Sequence, residues 1–362
     1  MTGGAATGGD AAGGAATGGA ASGGAATGGS ASGGDVGAGG SGGQDATGGS
    51  SSGGSGAGTS SPFCKSFDNG SGTTQPCYVG NDGAAHCIAD DGSTTTLSEV
   101  SGSVINSSGK NFSTEACAVD AAGAVFCGQY GSMTEWLSSG ASQVSGSLTG
   151  QCALVNGGVT CSGVEGPESP SIPGTVDQIR CFYHGCCAGT DEGKMYCWGD
   201  TAAVGGSGTD PVEIPLPDGK KLVQLGPGQD HLCALVEGGQ VQCWGQDWNA
   251  QIGGTTNSSG NTTTGETLVA SGAVAVAAGQ FHTCVALSDG TVECVSASQS
   301  EGAGLDMGTL TLVSGVSSAV ALSAGKHYTC ALLADSSIQC WGRIGGGTTP
   351  IVVSGPPAAS CD

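Results

Sequence analysis

The chain has 362 residues, of which 73 are Gly and only 10% are charged. Eight Lys and Arg stand against 30 Asp and Glu, a formal charge of −22 whose field repels nucleic-acid phosphates and anionic lipid headgroups, so no nucleic-acid partner is expected. Its 18 cysteines, an even count, would be a liability in a reducing cytosol and become cross-links in an oxidising compartment, which places the expected site of action outside the cell or on its surface.

Residues 1–61 are built almost wholly from Gly, Ala, Thr and Ser in near-repeats of GGAATGG, and Val36 is the only larger apolar side chain after Met1. Such a stretch has nothing to form a core and is expected to be a disordered linker with a mean span of roughly 40 Å. It resembles the spacers that follow the lipid-anchored cysteine of bacterial surface lipoproteins. The opening MTGGAATGGD has neither a basic segment nor an apolar one, so an export signal or lipid anchor is expected upstream of this start. No run approaches the ~18 apolar residues of a membrane-spanning helix.

From Pro62 to Asp362 short bursts of Val, Leu, Ile, Trp and Cys alternate with Gly, Asp, Asn and Ser, the pattern of strands and tight turns. Seven cysteine pairs recur along it: Cys77 and Cys87, Cys117 and Cys127, Cys152 and Cys161, Cys187 and Cys197, Cys233 and Cys243, Cys284 and Cys294, Cys330 and Cys340. Six are ten positions apart and one is nine, and successive first cysteines lie 35 to 51 residues apart, the period of a small β unit. In FHTCVALSDGTVEC the loop Ser288-Asp289-Gly290 fits a type I turn followed by a left-handed Gly. Counting outward from Leu287 and Thr291 sets Cys284 opposite Cys294 in a non-hydrogen-bonded pair, where side chains approach closely enough for a cross-strand disulfide. The shorter unit carries Asn156-Gly157, the preferred two-residue type I′ loop, and the same count again sets Cys152 opposite Cys161. Gly83, Gly123, Gly193 and Gly239 repeat the third loop position, whereas Ser336 stands there in the last unit, so that turn is expected to be strained or differently shaped. The 35-residue units leave room for three strands rather than four. Zinc is the rival use for paired cysteines, but structural zinc sites favour close C-x₂-C pairs, and no metal is expected.

Four cysteines stand outside the pattern: Cys64, Cys181, Cys186 and Cys361, with three possible pairings. Cys181 and Cys186 are near enough to bond locally, which leaves Cys64 with Cys361. That bond needs Cα atoms within ~7 Å. An open stack of sheets at ~10 Å spacing would hold the ends some ~60 Å apart, whereas a ring brings them together. The expected fold is therefore all-β, a seven-bladed propeller with one intra-hairpin disulfide per blade.

The segments VAVAAGQFHTCVALSDGTVEC and GPGQDHLCALVEGGQVQCWG resemble repeats of the regulator of chromosome condensation family, whose core pattern is similar to G-x-x-H-x-C-A-L-x-x-x-G-x-V-x-C-W-G. The resemblance covers nearly all of Pro62 to Asp362 and implies a seven-bladed β-propeller, the count already reached from the cysteines. The family's founder is a nuclear exchange factor for a small GTPase. Disulfides and acidic charge point instead to a secreted bacterial branch, with an architecture similar to β-lactamase inhibitor protein II, which binds a protein on one face.

Catalytic groups are not found in any usable arrangement. His231 and His282 lie two positions before a hairpin cysteine, and His184 and His327 three before, a recurrence that favours structural roles; His86, inside its hairpin, is expected to be solvated. No Ser/His/Asp or Cys/His set can be argued, because the cysteines are consumed in disulfides, and neither Gly345-Gly346-Gly347 nor Gly219-Lys220-Lys221 has phosphate-loop spacing. Neither an enzyme nor a cofactor is expected. Trp198, Trp244 and Trp341 directly follow hairpin cysteines and are expected to pack between adjacent blades. Phe182, Tyr183, Asp230, Phe281, His327 and Tyr328 fall near one loop position in four consecutive units, so a ring would gather them on one face as a contact surface, or they merely cover blade edges. The expected function is a monomeric, non-catalytic module that binds a protein or glycan. A surface spacer or adhesive protein, a propeller enzyme and an exchange-factor-like regulator are the rivals.

Overall fold

The computed structural model describes residues 76–359 apart from short stretches (99, 101–103, 110–114, 130–131, 184, 200–208, 249, 254–260, 297–307 and 345–346). The chain divides into two units, Met1–Ala57 and Gly58–Asp362, and every described residue belongs to the second. The linker expected over 1–61 and the bond expected between Cys64 and Cys361 lie outside the described residues. No helix among those described is long and apolar enough to cross a membrane.

Seven antiparallel sheets follow one another along the chain, each centred on one cysteine hairpin. We number the blades one to seven by those hairpins. The registers are those the turns dictate: Cys284 pairs with Cys294, and Cys152 with Cys161. In the sixth hairpin Leu287 N–H donates to Thr291 and Gly290 N–H to Leu287, at 2.9 and 2.8 Å, with Gly290 at φ 83°. Asn156 and Gly157 both take positive φ, 51° and 77°, as a type I′ turn demands. Ser336 adopts φ 67° in the place Gly290 holds, so the last turn keeps its shape and carries the strain. All seven hairpin cysteine pairs are bonded, with Cα separations of 4.0 or 4.1 Å.

Strand number varies with linker chemistry. Blade two fits four strands into its short unit by a tight outer hairpin that pairs Gln129 with Ser132. Blade three has three, Ala141–Gly146, Gln151–Val155 and Gly158–Ser162. Its following segment contains Pro167, Pro170 and Pro173, which lack the N–H groups an outer ladder needs. Blade one shows three strands among the described residues.

The innermost strands of blades two to seven, Val104–Gly109, Ala141–Gly146, Val176–Cys181, Leu222–Pro227, Ala273–Ala278 and Ala319–Ala324, lie against one another in sequence order and surround the ring axis. The core sits between blades. Trp198 packs among residues of blades three and four, Trp244 between four and five, and Trp341 between six and seven. The ring closes through segment 353–359, which lies between the last hairpin and the first. Asn81 N–H donates to Pro357 at 2.9 Å, Ala359 N–H to Val79 at 2.8 Å and Ala358 N–H to Ser336 at 3.1 Å. Tyr78 and Ile88 of blade one share a buried cluster with Tyr328 and Leu332 of blade seven, and the Tyr78 hydroxyl donates to Pro356 at 2.8 Å. Closure therefore has its own backbone hydrogen bonds and core.

Cys181 and Cys186 form the local bond, joining the first two strands of blade four at facing positions. His86 is a correction to the sequence reading. It is buried, with Nε2 3.0 Å from both oxygens of Asp82 and Nδ1 3.1 Å from Thr96 Oγ1. Its partner on the third strand of the sheet was invisible in the hairpin alone.

Candidate functional site

The loops that join first to second strands, with described residues 182–183, 228–230, 279–281 and 325–327, emerge at one end of the ring. Each of the last three opens on a glycine whose N–H donates across the loop: Gly228 to His231 at 2.7 Å, Gly279 to His282 at 2.9 Å, Gly325 to Tyr328 at 3.0 Å. The aromatic rings fold back onto those glycines. A Cβ on Gly228 or Gly279 would lie 2.1 Å from Cε1 of His231 or His282, and one on Gly325 2.2 Å from Tyr328 Cζ. His231 Nε2 then reaches Thr283 Oγ1 of the next blade at 2.9 Å, and His282 Nε2 reaches Thr329 Oγ1 at 2.8 Å. Burial pushes His231 down to about 3 and His282 down to about 4, each helped by the histidine of the following unit, so both are neutral pegs between blades.

The loops are also tied to one another. Leu148 N–H donates to Tyr183 at 3.3 Å, Gln229 N–H to Gly279 at 3.1 Å and Gln280 N–H to Lys326 at 3.4 Å. Loops leaving the third strands join the same face, because Gln246 N–H donates to Asp230 at 2.8 Å and Arg343 N–H to His327 at 2.7 Å. The glycine of C-W-G permits that approach: a Cβ on Gly245 would meet Asp230 O at 2.5 Å.

Of the six candidate contact residues, Asp230, Phe281 and His327 occupy equivalent loop positions and are partly exposed, and Tyr183 is partly exposed in the corresponding loop. Two leave the set. Phe182 is buried against Trp244 between blades four and five, and Tyr328 begins a strand in the place of His231 and His282, fully enclosed. His184 lies outside the described residues. One residue was missed: Trp248, 59% exposed, comes two positions after Gln246, whose N–H donates to Asp230. Unlike Trp198, Trp244 and Trp341 it follows no hairpin cysteine, and that difference was readable. Arg343 is exposed on this face and pairs with Asp90 at 3.1 Å.

The opposite face is different. Its hairpin tips carry Asp82, Asp289 and Asp335, whose carboxylates accept the backbone N–H two residues on, at 2.9 to 3.0 Å. Those oxygens are occupied in holding turns, and hydrogen bonds from His86, Thr291 and Ser337 hold the three carboxyls below their usual range. The axis between them is narrow. Around Arg180, Leu225, Val276 and Ser323 the free space is about 20 Å³, room for a water molecule and little else.

Cys152, Cys181 and Cys186 gather with their sulfurs within 4.8 Å, the kind of group that could hold a metal ion. Both disulfides involved are formed, and Cys152 Sγ lies 3.5 Å from Cys186 Sγ. An oxidised pair has no thiolate to offer a metal.

With the geometry in view, the molecule is a seven-bladed β-propeller, and solved structures of known proteins share that fold. Prp20p from Saccharomyces cerevisiae, whose structure concerns its binding to Gsp1p and histones, superposes with a TM-score of 0.60 at 14% identity, over 70% of this chain and 77% of that one. Yeast RCC1 (Prp20) bound by Kap60 gives 0.63 at 14% identity, over 82% and 87%. The ectodomain of the Arabidopsis thaliana receptor kinase ACR4 gives 0.55 at 18% identity, over 79% and 96%. In sequence, the Ultraviolet-B receptor UVR8 of Arabidopsis thaliana is 36% identical over 84 residues, a match spanning 22% of this chain and 19% of the receptor. No family model matches the chain.

Proposed function

We propose that this propeller is a non-catalytic binding module acting outside the cytoplasm, and that it meets a protein or glycan partner with the face carrying Tyr183, Asp230, Trp248, Phe281 and His327. The observation that carries the reading is the locking of that face. Its loops are hydrogen-bonded to one another between blades three and four and from blade five to blade seven, while their aromatic side chains stay partly exposed. A preorganised surface loses little entropy on binding, and exposed aromatics are the commonest anchors of protein contacts. On the opposite face Asp82, Asp289 and Asp335 are engaged in their own turns. Eight disulfides among the described residues support an oxidising compartment. Prp20p binds proteins with the same fold, and the ACR4 ectodomain offers a cell-surface parallel.

The test compares the parent with a Trp248→Ala, Phe281→Ala double variant, both immobilised against cell-surface extract and a glycan array. A ligand held saturably by the parent and lost by the variant, at unchanged melting temperature, supports the face. Retention by both refutes it, and no saturable ligand for either favours a spacer.

A further inference from the structure

We infer that a second, smaller site lies at the opposite, hairpin end of blade four and takes a small monocarboxylate with an apolar body. The site is built by the turn at Pro217–Gly219, where Asp218 and Gly219 take φ of 53° and 66° and reverse the chain. That reversal lays Lys220 and Lys221 against the hairpin at Glu192–Lys194. Gly193 makes room for them: a Cβ there would lie 2.4 Å from Lys221 Cβ, and Leu222 N–H locks the contact by donating to Gly193 at 2.7 Å. Between the two segments an open cavity of about 240 Å³ remains. Its floor is the partly exposed Leu216, laid over Met195 and Ile214, which are buried and face each other across two strands.

The charges around this floor are unusual for the chain. Three of its eight basic residues, Lys194, Lys220 and Lys221, line the one cavity in a protein of formal charge −22. Lys194 is settled by Glu213 at 3.7 Å and Glu192 at 4.0 Å, and Glu213 also accepts the Tyr196 hydroxyl at 3.1 Å. Lys220 and Lys221 differ. The Lys220 ammonium contacts the neutral Gln240 Oε1 at 2.5 Å, and among the described residues no carboxylate lies within 4.0 Å of either ammonium. Beside the pair, Glu237 Oε2 accepts from the Lys221 N–H at 3.5 Å, and acids beyond the ~8 Å screening length at physiological salt add little to the potential in the cavity. Glu192 and Glu213 on the rim penalise a dianion such as phosphate, so a single carboxylate on the lysine pair fits best, its apolar part on Leu216. The volume falls below the ~300 Å³ of ordinary ligand pockets, which limits the ligand to a short chain or one ring.

The probe is hexanoate, titrated into the full chain and followed by amide chemical shifts, with hexanamide and inorganic phosphate as comparisons. Saturable shifts confined to residues 192–195 and 212–221 are expected by ~10 mM hexanoate, where a millimolar site is filled. Hexanamide and phosphate should each bind at least tenfold more weakly. Lys220→Gln with Lys221→Gln should weaken hexanoate at least tenfold at unchanged melting temperature, because both side chains are surface groups. The Trp248→Ala, Phe281→Ala variant should bind hexanoate normally, which separates this site from the aromatic face. Absence of saturable shifts, equal binding of hexanamide, tighter binding of phosphate, or an unaffected double-lysine variant would each overturn the assignment.

Discussion

His231 of blade five and Thr283 of blade six meet at 2.9 Å, Nε2 to Oγ1, and both side chains are buried. The pair is a buried polar pin across the blade interface, and His282 with Thr329 repeats it one blade on. Thr283→Val keeps the shape and removes the hydroxyl, leaving a buried imidazole nitrogen unsatisfied. A loss of ~1–3 kcal/mol is expected from guanidinium unfolding. In a double-mutant cycle with His231→Leu, the second substitution should cost less in the Thr283→Val background than in the parent. Additive losses would show that the contact contributes nothing.

Both buried histidines make stability depend on pH with a definite sign. Their folded values, about 3 for His231 and about 4 for His282, lie below the ~6.5 of an unfolded chain. Between those limits the unfolded chain binds more protons, so stability rises with pH. The contribution is complete above ~6.5 and is lost as pH falls toward the folded values, at up to ~1.4 kcal/mol per pH unit for each histidine. Unfolding midpoints at about pH 7, 5.5 and 4.5 should fall steadily, before most carboxylates titrate. Replacing both histidines by Gln should flatten that limb; an unchanged slope would contradict the burial described.

The glycines under the rings make a sharper test. Gly279→Ala places a Cβ 2.1 Å from the His282 ring and 2.5 Å from Gly325 O, although its φ lies outside the left-handed region. Packing alone forbids it, and a cost above ~3 kcal/mol is expected. Gly272 is the reverse case, with φ 88° and nothing within 4 Å of an added Cβ. Gly272→Ala should cost only the backbone term, ~1–2 kcal/mol. Melting temperatures of the two variants should therefore rank clearly.

These cases show what was legible in the sequence. Cysteine spacing and turn chemistry constrain each other, so register, bonding and blade number could be read residue by residue. Closure could be expected but not its means, because Asn81, Pro357 and Ala359 meet through backbone groups that leave no mark in composition. Tyr328 was misplaced because counting back from Cys330 aligns its neighbour His327 with His184. The spacing Gly228 to His231, Gly279 to His282 and Gly325 to Tyr328 would have aligned it with the buried rings. Phe182 lacked such a marker, since its burial depends on Trp244 in the next blade.

Ser336 tests the turn rule from the other side. At φ 67° it occupies the left-handed position that Gly290 fills in the preceding blade. Relief of that strain, ~1–2 kcal/mol, outweighs the extra freedom Gly adds to the unfolded chain, ~0.5–1 kcal/mol. Ser336→Gly should raise stability by up to about 1 kcal/mol, read as an increase in guanidinium midpoint at unchanged slope. A lower midpoint would mean that the turn is held by something other than this conformation.

The inner strands offer a last prediction. Gln143, Gln178 and Gln224 each follow a bulge in the first strand of their blade, and each reaches the next blade's inner strand. Their Oε1 atoms accept from Ile179 at 2.8 Å, Leu225 at 3.0 Å and Val276 at 3.0 Å. In blades six and seven Ala275 and Ala321 stand at this place, so the ladder runs through part of the ring only. Gln224→Leu deprives the Val276 N–H of its acceptor and should cost ~1–3 kcal/mol. Gln224→Glu keeps an oxygen there but buries a charge, which raises the carboxyl's folded value above the ~4.3 of an unfolded chain. The folded state then holds the extra proton, so this variant should gain on Gln224→Leu as pH falls, opposite in sign to the histidine limb. Measuring both variants at about pH 7 and 5 decides the matter: a constant difference between them would mean that residue 224 is solvated and the ladder is not formed.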